Sequence, residues 1–266
     1  MSSETSDTIQ ERIRQREALL THPLSTIPAT HAPIGNIPNT PLAVSTIAFL
    51  LGGIFSLGAL TFVVGGFSMP WWATYQLGFF VAAWATFHWG EFAITAGWNL
   101  EKCSVDSFLL DNGSMYHIAN ATALSEYILT LYFKPTLKAY PYISMIVTRL
   151  GIFLVIFGQL LRSTAMIHAS TNFSHSVAFR KRETHRLVTD GVYAWFRHPS
   201  YAGFYYWALG TQLVLQNSIT FGLFAILLWR FFYYRTRAEE AALVKFFGSD
   251  YINYRKQVGT LIPFVP

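Results

Sequence analysis

The stretch Val44-Ser45-Thr46-Ile47-Ala48-Phe49-Leu50-Leu51-Gly52-Gly53-Ile54-Phe55-Ser56-Leu57-Gly58-Ala59-Leu60-Thr61-Phe62-Val63-Val64-Gly65-Gly66-Phe67 contains no charged residue. A helix of about 20 apolar residues crosses the hydrocarbon core of a bilayer, so this run reads as a transmembrane helix and decides the class of the chain. Composition agrees. Of 266 residues, 52% are hydrophobic and 12% charged, about half the charge of an average soluble domain. The net charge of +5 fits a cytosolic face set against anionic lipid. No basic run is interleaved with aromatics outside an apolar span, so nucleic acid is not an expected partner.

Before this helix, residues 1–41 form a polar tail rich in Ser, Thr and Pro, with a charged stretch from Glu11 to Glu17 and five prolines between Pro23 and Pro41. The tail is expected to be flexible, and it lacks the pattern of a cleaved signal peptide. Residues 42–168 are expected to hold transmembrane helices. After the first, apolar segments follow from Trp71 to about Ala96, about Tyr116 to Phe133, and Tyr142 to about His168. A last hairpin covers about Tyr201 to Leu215 and Ile219 to about Tyr234. The expected fold is an all-α integral membrane protein with about six transmembrane helices. Gly52, Gly53 and Gly58 would let a neighbouring helix approach closely. With both termini in the cytosol, only Lys134 and Lys138 fall in a translocated loop, whereas the reverse topology would translocate Arg180-Lys181-Arg182; the excess of cytosolic Lys and Arg selects the first.

Several residues break the apolar spans. His88 and Glu91 lie three apart on one helical face, and ionisable groups at membrane depth are functional candidates; the alternative is an internal hydrogen-bonded pair that fixes packing. A lone H-x-x-E lacks the second motif and further carboxylates of a di-metal bundle, so no metal is expected. Arg149 and Arg162 imply that one face of their helix meets protein, water or headgroups. Cys103 is the single cysteine, which excludes an intrachain disulfide.

Polar residues concentrate in 169–266. Arg180-Lys181-Arg182-Glu183-Thr184-His185-Arg186-Leu187-Val188-Thr189-Asp190-Gly191-Val192-Tyr193 leads to Arg197-His198-Pro199-Ser200-Tyr201 and an apolar span. Thr189-Asp190-Gly191 reads as a tight turn, and Pro199 suits the first position of a helix, where its missing N–H costs nothing. Arg235 and Glu239, four apart just past the last span, share a helix face; on its own, that spacing also describes a surface ion pair.

Thr184-His185-x-Leu187-Val188-Thr189-x-Gly191-Val192-Tyr193-Ala194-Trp195-Phe196-Arg197-His198-Pro199-Ser200-Tyr201-x-Gly203, with Arg235-x-x-x-Glu239 and Phe247-Gly248-x-x-Tyr251-x-x-Tyr254, closely resembles the isoprenylcysteine carboxyl methyltransferases of the eukaryotic endoplasmic reticulum. The strong resemblance covers about residues 175–263, with Ser107-Phe108-Leu109-Leu110 matching earlier in the chain. It implies S-adenosyl-L-methionine as cofactor, a prenylated (farnesyl or geranylgeranyl) C-terminal protein cysteine as acceptor, and a cytosolic cofactor pocket built from loops and helix ends. By the same resemblance, 169–266 is the catalytic region. His185, Arg186, Leu187 and Val188 would line the cofactor, Tyr193 would pack on it, and His198, Pro199, Ser200 and Tyr201 would close the pocket. Glu239 would hold the cofactor's cationic side and Arg235 the substrate carboxylate. The family usually places a Gln a few residues ahead of its His-x-Leu-Val, where this chain has Val177-Ala178-Phe179, so the resemblance does not carry that cofactor contact over.

The chemistry suits these residue types independently. Methyl transfer from a sulfonium to a carboxylate is an in-line displacement, and an α-carboxylate is ionised at neutral pH, so no general base is needed. The protein must align the reactants and exclude water; an arginine fork supplies the orientation. No G-x-G-x-x-G opens a strand-helix unit, which excludes a Rossmann-type methyltransferase domain. Three other readings remain: a membrane methyltransferase of phospholipid amines, against which Arg235 speaks; an NADPH-dependent sterol reductase sharing R-H-P-x-Y; and a non-catalytic membrane scaffold, against which the polar residues gathered at two cytosolic junctions speak.

Overall fold

The computed structural model describes residues 37–65, 71–133, 141–177, 180–181 and 185–266. Most of the polar tail, the loop with Lys134 and Lys138, and the Ala178-Phe179 departure lie outside the described residues. The described chain is helical, with no strand: α1 (Pro41–Val64), α2 (Tyr75–Trp98), α3 (Ser114–Phe133), α4 (Pro141–Ala169), α5 (Pro199–Leu215), α6 (Ser218–Phe247) and the short α7 (Ser249–Gln257), with short 3-10 turns between α2 and α3 and between α4 and α5.

Local chemistry sets the helix starts. The Thr40 hydroxyl accepts from the Ala43 N–H (3.2 Å) and Pro41 opens α1, while Thr74 accepts from Leu77 N–H (3.2 Å) at the start of α2. Pro199 begins α5 as its sequence position requires. At the start of α6 the Glu126 carboxylate, projecting from α3, accepts from the N–H groups of Ile219 (2.9 Å) and Thr220 (2.7 Å). A carboxylate in an otherwise apolar segment is thereby matched to the positive end of a helix.

α1 and α4 are long and apolar enough to cross a membrane. The outer faces of the bundle carry large exposed apolar side chains such as Phe49, Leu57 and Phe153, as lipid contact requires. α6 runs unbroken to Phe247, so the helix face expected to carry Arg235 and Glu239 just past the last span is a direct continuation of that span, beyond its apolar half.

Glycine governs how the helices meet. Gly151 and Gly158 on α4 face Gly203 and Gly210 on α5, each pair seven residues apart. A Cβ on Gly158 would lie 2.5 Å from the Gly203 carbonyl oxygen, and one on Gly210 would lie 2.8 Å from the Val155 nitrogen. In lipid, where apolar side chains gain nothing by leaving the solvent, such backbone approach supplies the packing. Gly58 approaches α2 in the same way, 2.6 Å from Ala82 N, but Gly52 and Gly53 point to open space and take no part.

His88 and Glu91 are both buried, yet the internal pair considered above is not formed; they have separate partners. His88 Nδ1 lies 2.7 Å from the Phe108 carbonyl and Nε2 lies 2.7 Å from the Tyr116 hydroxyl, tying α2 to the following loop and to α3. Glu91 turns the other way, to Arg162 on α4. Arg162 therefore meets protein, while Arg149 is exposed.

Candidate active site

The described residues just before α5 pack against the end of α4. Gly191 sits at φ +58 with the His168 ring 2.5 Å from where a Cβ would be, so both the backbone conformation and the close approach demand glycine. The turn Gly191–Ala194 then presents Tyr193, whose hydroxyl donates to the Ala165 carbonyl (3.2 Å) and whose carbonyl accepts from the Tyr254 hydroxyl (2.6 Å). Tyr193 is thus held between α4 and α7.

Arg197 gathers the C-terminal elements. Its Nε donates to Glu240 Oε1 (2.6 Å), Nη1 to the Val258 carbonyl (2.5 Å) and Nη2 to the Pro266 carbonyl (2.6 Å), and its backbone N–H donates to the Gly259 carbonyl (2.8 Å). The rigid guanidinium fork suits such divided use. His198 precedes α5 with Nε2 3.3 Å from the same Glu240 oxygen; since a carboxylate only accepts, that nitrogen carries the proton. Burial works against ionising Glu240, but the hydrogen bond and charge of His198, together with Arg197, prevail and hold its carboxyl below the usual range.

These elements line a partly open cavity of about 120 Å³. Of the cofactor residues expected from the sequence, Arg186, Leu187, Val188, Tyr193, His198, Pro199, Ser200, Tyr201 and Glu239 line it. His185 does not; its ring lies beside Phe246, 6.2 Å between centroids. Asn172, Arg197, Leu243, Phe247, Tyr251 and Tyr254 also line the cavity and were not expected there. Phe247, Tyr251 and Tyr254 had a readable signal, since Tyr251 and Tyr254 lie three apart on one face of α7. Asn172 had none: its side chain reaches the site because the chain turns sharply after α4, where its Oδ1 accepts from the Arg186 N–H (2.9 Å).

Arg235 stands beside the cavity rather than in its wall, and it makes no direct ion pair with Glu239. The Tyr201 hydroxyl joins them, accepting from Arg235 Nε (2.9 Å) and donating to Glu239 Oε2. Arg235 Nη2 donates to the His175 carbonyl, and the guanidinium lies over the Tyr201 and Phe231 rings at 5.2 and 5.7 Å. The surface ion pair that the spacing alone allows is thus replaced by a cation and an anion held apart by one hydroxyl at the edge of a cavity. Among the described residues no group of three or more His, Cys, Asp or Glu is placed to hold a metal.

Aromatic faces and one carboxylate around a half-open space fit a ligand that joins a flat base to a cationic centre. Comparison with known proteins points the same way. The model of the isoprenylcysteine carboxyl methyltransferase family matches residues 150–245. The chain is 41% identical over 218 residues to the human protein-S-isoprenylcysteine O-methyltransferase, covering 82% of this chain and 73% of that one. It is 41% identical over 247 residues to the Schizosaccharomyces pombe protein of the same name, covering 88% and 100%. A solved structure of a eukaryotic intramembrane Ras methyltransferase of this type superposes with a TM-score of 0.76 at 38% identity, covering 84% of this chain and 76% of that one. With that much of its length shared at that identity, the chain belongs to the isoprenylcysteine carboxyl methyltransferase family.

Proposed function

We propose that the chain esterifies the α-carboxylate of a prenylated C-terminal protein cysteine with a methyl group from S-adenosylmethionine, in the cavity between α4, α5, α6 and α7. The observation that carries this reading is the Arg235–Tyr201–Glu239 arrangement, which sets a cation for an acceptor carboxylate next to an anion in the cavity wall. When bound, S-adenosylmethionine supplies an electrophilic methyl on a sulfonium.

The residues of the chain then orient and shield. Glu239, in the cavity wall, faces the cofactor's positive charge, and Tyr193, Tyr251 and Phe247 offer aromatic surface to its base and sulfonium. Arg186, Leu187 and Val188, before α5, and His198, Pro199, Ser200 and Tyr201, at its start, line the same cavity. Arg235 orients the incoming carboxylate, which arrives ionised, so no group has to remove a proton. Its anchorage to Tyr201 and His175 keeps the guanidinium from closing over the nucleophile. Alignment and exclusion of water together are worth about 7 to 11 kcal/mol in such a displacement.

The membrane setting follows from the acceptor. A prenyl chain resides in the bilayer while its cysteine carboxylate stays at the surface, so the six long helices α1 to α6 serve as spans with both termini and the cavity on the cytosolic side of the endoplasmic reticulum. In this reading 42–168 is the helical anchor and 169–266 the catalytic region with the last hairpin.

The test is transfer of labelled methyl to N-acetyl-S-farnesylcysteine by membranes containing the protein, beside Arg235→Ala and Glu239→Ala. Base-labile label, lost in both variants at equal expression, is the expected result. Label passed to phospholipid amine instead, or binding of NADPH with no methyl transfer, would overturn it.

A further inference from the structure

We infer that Glu91 and His175 are positioning residues for the acceptor grip of Arg235, acting from α2 through the strap of chain that follows α4. The inference rests on the reading of Arg235 as the residue that holds the substrate carboxylate.

Glu91 is 1% exposed, in the third turn from the end of α2. A buried carboxylate is costly unless every oxygen is matched, and here both are. Oε1 accepts from Arg162 Nε (2.5 Å); Oε2 accepts from Arg162 Nη2 (2.8 Å) and from His175 Nε2 (3.0 Å). Because the carboxylate can only accept, His175 Nε2 must carry a proton, which fixes the direction of that bond and the ring's orientation.

The consequence reaches the site through the backbone. The carbonyl of His175 is the acceptor for Arg235 Nη2. Clamping the imidazole on α2 therefore fixes the carbonyl that holds one arm of the guanidinium, while the Tyr201 hydroxyl holds Nε. Tyr201 is tied to the same ion pair, since Arg162 Nη1 donates to the carbonyl of Ser200, the residue before it (3.2 Å). Both supports of Arg235 thus lead to one buried pair, Glu91–Arg162. The rest of the strap is fastened to the same end of α2, with Asn99 Nδ2 donating to the Phe173 carbonyl (2.9 Å) and the Ser170 hydroxyl to the Trp98 carbonyl (2.7 Å). The buried pair touches Arg235 only through these neighbours, His175 and Ser200, and its role is to hold the two supports of that arginine in register.

His175 gives the cleaner test, because changing it spares the Glu91–Arg162 pair that the fold needs. In purified full-length protein, His175→Leu is expected to raise the KM for N-acetyl-S-farnesylcysteine at least tenfold, with the dissociation constant for S-adenosylmethionine, measured by calorimetry, within twofold of the parent. His175→Gln, whose amide N–H can reach Glu91 in place of Nε2, is expected to recover most of the loss. Glu91→Gln should reproduce the acceptor defect if it folds, which its thermal midpoint reports. An unchanged acceptor KM in His175→Leu, or equal loss in His175→Leu and His175→Gln, overturns the positioning role. Arg235→Ala separates the two claims. If it leaves the acceptor KM unchanged, the reading of Arg235 fails and this inference with it; if it raises KM while His175→Leu does not, only the positioning role fails.

Discussion

The Tyr201 hydroxyl lies between Arg235 and Glu239, accepting from Nε of the first at 2.9 Å and donating to the carboxylate of the second. One proton on one oxygen thus couples the group read as holding the acceptor to the group read as facing the cofactor. Hydrogen bonds to charged partners are worth about 1.5–3 kcal/mol. Tyr201→Phe keeps the ring, its stacking on His198 (5.3 Å between centroids) and its place in the core. It should therefore lower kcat/KM for the prenylcysteine acceptor roughly 10- to 100-fold while the thermal midpoint stays close to the parent's. A variant within threefold of the parent would show that the hydroxyl only fills space.

Arg235→Lys isolates the fork from the charge. A lysine can offer a point cation but cannot donate at once to the Tyr201 hydroxyl, the His175 carbonyl and an incoming carboxylate. Steady-state kinetics should show acceptor KM rising by roughly tenfold or more, the size expected for losing a bidentate contact, with cofactor affinity little changed. Equal weakening of both ligands would argue that Arg235 shapes the cofactor cavity instead.

How much of this was readable beforehand follows from what each signal depends on. Apolar runs and the helix-opening Pro199 are local, and α1 to α6 lie where the apolar segments run, with α6 continuing through the helical stretch expected to carry Arg235 and Glu239. The dense run from Arg186 to Tyr201 is likewise local, and it lines the cavity at its two ends, Arg186 to Val188 and Arg197 to Tyr201, and through Tyr193 between them. What escaped was the meaning of residues whose partners are far along the chain. Glu91 meets Arg162, 71 residues later, and Glu126 meets the start of α6, 93 residues later; spacing within a helix could suggest a His88–Glu91 pair but not these partners. His185, inside a run whose neighbours face the cavity, points to Phe246 instead.

The α4–α5 contact predicts a sharp stability effect. A methyl on Gly158 would sit 2.5 Å from the Gly203 carbonyl and 2.6 Å from Trp207 N, both of them backbone atoms that cannot turn aside. Gly158→Ala should force the helices apart and cost roughly 1–3 kcal/mol, seen as a lower thermal midpoint in detergent. Gly52→Ala, with nothing within 4 Å of its Cβ, is the matched control and should leave the midpoint unchanged or slightly higher.

Cys103 is fully buried in the loop after α2, and burial pushes its thiol up to about 11, with a bond to Ser107 opposing only in part. The thiolate is the reactive form, and four pH units below that value only about one molecule in 10⁴ carries it. The folded protein should resist maleimide at pH 7 for hours and take up one equivalent after denaturation. Rapid labelling of the native protein would place this loop in an open conformation.

Glu240 gives the pH prediction. Its carboxyl titrates below the ordinary 4.5: burial opposes the charge, but His198 and Arg197 outweigh it. A depressed folded pKa contributes stability that is fully present above the unfolded value and is lost as pH falls through the folded one. Glu240→Gln should therefore lower the thermal midpoint most at pH 6–7, where it also strands the buried Arg197 without its carboxylate, a loss of about 3–5 kcal/mol when one partner of a buried pair is removed. As the pH falls below 4.5 the parent's carboxylate is protonated in turn, so the gap between the two should narrow. Midpoints measured from pH 7 to pH 3 in one detergent decide it: a gap that stays constant would mean that Glu240 acts through its shape and not through its charge.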